Sequence, residues 1–593
     1  MANTRPNFLV IVADDLGFSD CGCFGSEIQT PNIDALAAEA NGIRLTNYYV
    51  AAACSPTRSM LMTGTDHHIA GLGELAEFTR SSVGQPGHEG YLNERVVALP
   101  ELLKDGGYHT IMAGKWHLGL KPEHHPIARG FVRSFALLPG CANHYGYEPQ
   151  YDDPDNEPHK FFETATRALH VEDDKFVEKL PDGFYSSDAY GNKIIEYLSS
   201  RTKEEKQEPF FAYLPFSAPH WPLQAPKEVV DKYKGQYSDG PQDLRLKRLQ
   251  RLKDMGLVDQ DVQPHPVVQC PGEPGQWEDM PQDVQEKSAR AMEVYAGMVD
   301  RMDWNIGKVL EYLRSTGEYD NTFILFMSDN GAEGASYEAL PILGDEVVAH
   351  IAKYYNNELG NIGRGDSFVW YGSQWAQAAT APSRLFKQYS TEGGCRVPLV
   401  IRPPPKRSDT ASAVTNAYCT VMDIVPTFLE LAGLNHPGMS YKGREIAPLR
   451  GKSWQHFISA LESKAPSSTD EDFMIHGEEY VTGFEISGSG ALRKGHYKLV
   501  FVPAPRGPQK WELFNVKEDP GETKDLREAE PERFDEMMKL WEEYKKDVGV
   551  IGVAGEYPEA ILGRTVPIKD EFDDPYGWIK FMGKPDRCKK RFK

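Results

Sequence analysis

Several marks of large protein classes are missing from this 593-residue chain. It contains no Asn-x-Ser/Thr acceptor for N-glycosylation, and its eight cysteines, at positions 21, 23, 54, 141, 270, 395, 419 and 588, follow no framework spacing. Long apolar runs are missing too. The polar Met1–Pro6 leads into Phe8–Val12, which is far too short for a signal peptide or a membrane span. Together these absences lead us to expect a cytoplasmic protein with no membrane partner. Basic charge is scarce, since the formal net charge is −22, and this argues against general binding of nucleic acid. An anionic substrate would need a locally positive site. Cys21 and Cys23 flank a single glycine, a poor spacing for one metal ion, and read as packed thiols.

What is present supports a large buried core. With 40% hydrophobic and 11% aromatic residues the chain can fold, and its length suits one large domain and one smaller one. Three apolar runs of strand length each deliver polar residues at their ends. Pro6–Ala13 ends at Asp14-Asp15, Pro209–Phe216 leads to His220, and Asn321–Met327 ends at Ser328-Asp329-Asn330. One of two adjacent carboxylates could cap a turn, but a pair repels itself and wants a cation. Strands buried on both faces predict an α/β sheet, and ligands of such sheets sit beyond the carboxyl ends of the strands. Asp14, Asp15, Asp329 and Asn330 would then converge as an oxygen-rich site for a hard cation, Ca²⁺ or Mg²⁺, which composition cannot separate.

Other elements follow from periodicity and punctuation. Helices are expected over Pro31–Ala40, capped by Thr30, and over Leu99–Lys104, Ser288–Arg314 and Val421–Ala432. His109–Ala113 predicts a strand leading into Lys115 and His117, which on an extended segment share one face. Gly235–Glu286, rich in Pro, Gln, Asp and Gly with one amphipathic patch at Leu244–Leu252, reads as a surface excursion. Phe368, Trp370, Tyr371 and Trp375 lie in a stretch that either lines an apolar pocket or is a loop held by its own aromatics. Val397–Ile401 reads as a strand. Beyond the Ser463–Asp472 connection, Tyr497–Val502 and Lys510–Phe514 suggest antiparallel strands, and Glu530–Lys546 a terminal helix. The division expected is residues 1–435, 436–550 and an extension over 551–593 that ends in a basic tail.

The most specific stretch is Cys54-Ser55-Pro56-Thr57-Arg58, continuing to Thr63-Gly64. Ser55 would cap a helix with Pro56 at its first position, bringing backbone N–H groups and the Arg58 guanidinium toward the Cys54 thiol. Cys-x-Pro-Thr-Arg followed by Thr-Gly, together with Gly107-Tyr108-His109-Thr110-Ile111-Met112-Ala113-Gly114-Lys115-Trp116-His117-Leu118-Gly119, resembles the type I sulfatases. The likeness covers about the first 550 residues and is nearest to bacterial arylsulfatases and alkylsulfatases without a signal peptide.

That resemblance implies an alkaline-phosphatase-like fold: a mixed sheet sandwiched by helices, then a smaller C-terminal α+β domain with an antiparallel sheet. It implies hydrolysis of aryl or alkyl sulfate monoesters, with Cys54 oxidised to formylglycine by a formylglycine-generating enzyme that binds transiently. It also implies Ca²⁺ rather than Mg²⁺, held by Asp14, Asp15, Asp329, Asn330 and the modified Cys54. In the implied mechanism one hydroxyl of the aldehyde hydrate attacks sulfur, and His117 then deprotonates the other so that sulfate is expelled. Arg58 and Lys115 hold the hydrate, while His220 and Lys387 bind the sulfuryl oxygens and protonate the leaving alcohol. Two other readings are a phosphonate monoester or phosphodiester hydrolase of the same superfamily, and a catalytically silent Ca²⁺-dependent binding protein.

Overall fold

In the computed structural model, residues 5–75, 84–151, 166–269, 273, 275–334, 344–405, 412–463 and 473–551 are described. The expected Ser463–Asp472 connection and the 551–593 extension therefore lie almost wholly outside them. The apolar run at the start of the chain forms the strand Asn7–Ala13, every residue of which is buried. It pairs in parallel with Phe210–Pro215 on one side and Thr322–Ser328 on the other. His109–Lys115 continues the sheet in parallel beside Phe210–Pro215, and Arg133–Leu137 beside His109–Lys115. On the other flank Arg396–Arg402 runs antiparallel to Thr322–Ser328, and Ile43–Tyr49 antiparallel to Arg396–Arg402. Among the described residues this sheet is mixed and 11-stranded, with a parallel centre.

The register decides where the polar residues land. Ala13 pairs with Ser328, so Asp14 and Asp329 each stand one residue past a matched pair. All five parallel strands end at the same edge, and so does Ile43–Tyr49, because two antiparallel steps restore its direction. The amino end of Arg396–Arg402 lies at that edge for the converse reason. Gly114, one residue before Lys115, has φ 137°, and a Cβ there would stand 1.8 Å from the Pro215 carbonyl oxygen. A glycine is needed for the close approach of these two strands.

Helices cover both faces. Ser288–Arg314 was the expected core of a helix that runs over Gln282–Thr316 and packs Tyr295, Met298, Val299, Met302 and Ile306 into the core. Pro31–Ala38 forms as expected, but the Thr30 hydroxyl donates to Asp34 Oδ1 and accepts from the Gly22 N–H instead of capping the helix. The Gly235–Glu286 segment departs from a surface excursion. Its helix Gly240–Asp254 buries Arg245 and Arg248, and Arg248 pairs with Asp20 and Glu27. Arginine looked like surface in the sequence because its carboxylate partners are more than two hundred residues away.

The C-terminal sheet, Val481–Ile486, Ser489–Lys494, Tyr497–Phe501 and Trp511–Asn515, is antiparallel as expected, and the helix Pro531–Val548 covers one face. Leu492, Leu499, Leu513, Met537 and Trp541 form that small core. Phe484, Ala491, Val500 and Phe514 on the opposite face join the core of the large sheet. The unit is thus a layer laid on the large domain. Buried ion pairs stitch the seam: Lys498 bridges Glu392 (2.9 Å) and Glu522 (3.2 Å), and Arg384 meets Glu512 (2.8 Å). His68 spans Asp66 (2.9 Å) and Glu485 (3.1 Å), and the Tyr544 hydroxyl donates to the other oxygen of Asp66.

Burial works against the charge on His68, yet its hydrogen bonds to Asp66 and Glu485 outweigh that cost and push its pKa from 6.5 up to about 9. The folded protein holds this proton more tightly than the unfolded chain. Its stabilisation is therefore complete below pH 6.5 and is lost as pH rises through about 9. Nearby Glu74, pushed up to about 8 by burial and by Glu485, also titrates, so protein and variant are compared at each pH. His68→Gln is expected to cost on the order of 3 kcal/mol at pH 6 and much less above pH 9, read from denaturant unfolding. A difference independent of pH would refute the ion-pair account.

Candidate functional site

Cys54 opens a ten-residue helix, Cys54–Thr63, that is buried along its whole length. The N-cap is Ala53, with no side-chain cap, so Ser55 and Pro56 lie inside the first turn and not at the positions expected from sequence. The strand Ile43–Tyr49 delivers this helix to the polar edge of the sheet, and Thr57 Oγ1 ties its first turn to the Ala51 carbonyl (2.9 Å). Arg58, four residues after Cys54, shares its helix face. The Cys54 thiol is 2% exposed, 3.9 Å from Asp15 Oδ1, and burial raises its pKa, with Lys115 and Lys387 opposing.

Around it the strand ends supply alternating charges. Lys115 Nζ donates to both oxygens of Asp14, at 2.9 and 2.7 Å. Arg58 donates to Asp329 Oδ2 (2.8 Å) and to the Lys115 carbonyl (2.8 Å). Lys387, on the loop before Arg396–Arg402, reaches Asp15 (2.9 Å) and Glu333 (3.0 Å). Asp329 Oδ1 accepts from the Asp15 N–H (3.2 Å), and Asn330 Nδ2 donates to Asp15 Oδ1 (2.6 Å). Burial pushes the Asp14 carboxyl upward, opposed by Lys115, and holds His220 well below its ordinary value with help from Lys387 and Lys115. For Lys115 and Lys387 burial opposes the charge, but Asp14 and Asp15 respectively win and raise both.

The predicted residues therefore meet. Cys54, Arg58, Lys115, His220, Lys387, Asp14, Asp15, Asp329 and Asn330 are linked by the contacts just described and by His220 Nε2 to Asp15 Oδ2 (3.3 Å). His117 follows two residues after Lys115 and is buried, but its φ of 57° breaks the extended alternation expected of the pair. Asp14, Asp15, Cys54 and His220 each offer a ligand atom within 4.8 Å of the others. Asn330 Oδ1 is buried with no hydrogen-bond partner. An orphaned amide oxygen beside three carboxylates fits a hard divalent cation.

Sequence reasoning missed the groups that hold these in place. His220 Nδ1 donates to the Trp221 carbonyl (2.7 Å), and His144 Nε2 donates to the His220 carbonyl (2.9 Å) while its Nδ1 accepts from the Ser186 hydroxyl (2.7 Å). Burial holds His144 at about 4, so it is the neutral ring this tautomer requires. No local pattern marks His144. Glu333, four residues past Asp329, was within reach of the strand-end argument.

Comparison with known proteins places this arrangement. The family described as sulfatase matches residues 6–434, and the one described as N-sulphoglucosamine sulphohydrolase, C-terminal, matches 384–547. The chain belongs to the sulfatase family. It is 48% identical over 570 residues to an uncharacterized sulfatase of Schizosaccharomyces pombe, covering 95% of this chain and 98% of that one. It is 38% identical over 454 residues to an arylsulfatase of Klebsiella aerogenes, covering 76% and 91%. The crystal structure of Ps i-CgsB superposes with a TM-score of 0.62 at 24% identity, covering 96% and 100%. This sulfatase thus has the alkaline-phosphatase-like fold and is a sulfuric ester hydrolase. Among the described residues no helix of this sulfatase is long and apolar enough to cross a membrane.

His144→Ala should loosen the His220 turn and lower kcat/KM about tenfold for a sulfate ester, a typical loss for a displaced positioning group. His144→Gln, whose amide can donate to the same carbonyl, should recover most of it; equal losses in both variants would remove this role from His144.

Proposed function

We propose that this sulfatase cleaves aryl or alkyl sulfate monoesters with an oxidised Cys54 as nucleophile and Ca²⁺ as its metal. The observation that carries the reading is the convergence of Cys54, Lys115, His220 and Lys387 on the Asp14-Asp15 pair at one sheet edge. Asp14, Asp15, Asp329, Asn330 and residue 54 would hold the ion, whose chemistry when bound is to acidify a hydroxyl and offset anionic charge. Formylglycine at position 54, hydrated, supplies the oxygen that takes the sulfuryl group.

The chain's own residues do the rest. Arg58 fixes Asp329 and, through the Lys115 carbonyl, the strand end that carries the ammonium group. Lys115 compensates Asp14 and stands ready to steady the residue 54 oxygens. Lys387 binds the sulfuryl oxygens and returns a proton to the departing alcohol, His220 Nε2 shares that role only once it has itself taken up a proton, and His117 accepts the proton released at residue 54. Asp14, Asp15, Asp329 and Glu333 against Arg58, Lys115 and Lys387 leave one formal negative charge, so a divalent ion makes the site net positive and draws an anionic ester toward an acidic protein.

Because Cys54 and its helix are buried, its oxidation requires the unfolded chain, and the formylglycine-generating enzyme would act before folding. Cys21, Cys23, Cys54, Cys395 and Cys419 are buried thiols, the form that a reducing cytoplasm maintains.

Cys54→Ala should lower kcat by about a thousandfold or more, and the mass of the tryptic peptide holding position 54 in active enzyme should be that of the aldehyde. An unmodified thiol in fully active protein would end the proposal. Chelation should cut turnover by more than about a hundredfold, with Ca²⁺ restoring it better than Mg²⁺; unchanged activity in metal-stripped enzyme would exclude the ion.

A further inference from the structure

The charged centre holds one carboxylate more than its cations need. Arg58 pairs with Asp329 and Lys115 with Asp14, both at 2.7 Å, while Lys387 meets Asp15 at 2.9 Å and Glu333 at 3.0 Å. Asp15 alone would balance that ammonium group, so the second carboxylate calls for a reason. Glu333 is 9% exposed and stands outside the group of ligand atoms around Asp14 and Asp15. Backbone contacts enforce its position. The Lys387 N–H donates to the Ala332 carbonyl (3.0 Å) and the Gly331 N–H to the Gly394 carbonyl (2.9 Å), which fastens the segment before Glu333 to the loop that carries Lys387. A Cβ on Gly331 would stand 1.8 Å from the Gly393 carbonyl oxygen, and one on Gly334 2.2 Å from the Phe386 ring, so glycines near Glu333 on both sides permit the approach.

We propose that Glu333 sets the charge of the ester this centre accepts, admitting monoanions and rejecting dianions such as phosphate monoesters. This rests on the sulfatase reading of the centre and adds to it a rule for which tetrahedral esters compete. With Glu333 the paired side chains sum to one negative charge, and a divalent ion held at Asp14 and Asp15 brings the site to one positive charge, the complement of a sulfate monoester. Without Glu333 the sum is two positive charges, which suits a phosphate monoester in its dianionic form. The Glu333 carboxylate stands one ammonium group away from the sulfuryl oxygens that Lys387 binds, where burial leaves little water to screen it. Its repulsion therefore grows with each negative charge on the ester. A phosphodiester is a monoanion too, so Glu333 selects by charge and not by the central atom.

The test titrates the Ca²⁺-loaded protein calorimetrically, at low salt and in alkaline buffer, with two non-hydrolysable probes of matched shape: benzenesulfonate, which carries one negative charge, and phenylphosphonate, which carries two. The unaltered protein should bind benzenesulfonate the more tightly, and tighter binding of phenylphosphonate overturns the proposal without any variant. Glu333→Gln should raise the phenylphosphonate-to-benzenesulfonate affinity ratio about fivefold or more, a modest effect for one unit charge near a buried anion. The ratio of kcat/KM for phenyl phosphate over phenyl sulfate should rise with it. Glu333→Asp keeps the charge and should hold the affinity ratio within about twofold of the unaltered protein. Thermal melting checks that both variants fold. A ratio unmoved in Glu333→Gln overturns the proposal, and so does an equal change in Glu333→Asp, since the side chain would then act through the position of Lys387. Absence of binding by both probes overturns it as well. If the unaltered enzyme fails to hydrolyse phenyl sulfate, the sulfatase reading fails, and the affinity ratio alone decides the role of Glu333.

Discussion

Burying six opposed charges at one edge of a sheet is the constraint on which this protein is built. Asp14, Asp15 and Asp329 are at most 1% exposed, and Arg58, Lys115 and Lys387 at most 3%. Removing an ion from water costs several kcal/mol even after relaxation, and only close, well-directed pairing recovers it. Lys115 on Asp14, Arg58 on Asp329 and Lys387 on Asp15 meet that demand. Pairing of this accuracy needs rigid supports. The parallel strands supply them, since burying each large apolar side chain of Phe8–Val12 contributes about 1.5–3 kcal/mol and anchors the carboxylates that follow.

The support extends outward in layers. Arg248 and the Tyr295 hydroxyl hold Asp20, which in turn accepts from the Gly17 N–H and shapes the loop after Asp15. His144 pins the turn that carries His220. The loop bearing Lys387 is clamped from the C-terminal sheet, through Arg384 on Glu512, Ser390 on Ser489, and Lys498 on Glu392 and Glu522. This is why the C-terminal layer shares the core of the large sheet. It fixes Lys387, which no central strand carries.

How much of this was legible in the sequence varied with the range of the interactions. Pro6–Ala13 and Asn321–Met327 announced themselves as buried strands because unbroken apolar runs have few other uses, and the carboxylates at their ends followed. The long helix around Met298 was read from its period. The helix at Cys54 was read correctly in kind but displaced at its start, because Ala53, with no capping side chain, ends the extended segment in place of Ser55. The Gly240–Asp254 helix was taken for surface, since neither Asp20 nor Glu27 can be matched to Arg248 by spacing along the chain.

From the sequence alone came the cysteine motif, the strand-end carboxylates and the family they resemble, because each depends on residues adjacent in the chain. Tertiary structure alone decided which base meets which acid, that His144 orients His220, and that Trp221, Phe368 and Trp370 pack against one another beside it. Those relations join segments as much as 370 residues apart, such as Asp15 and Lys387, and only the strand register and the packing of the layers set them.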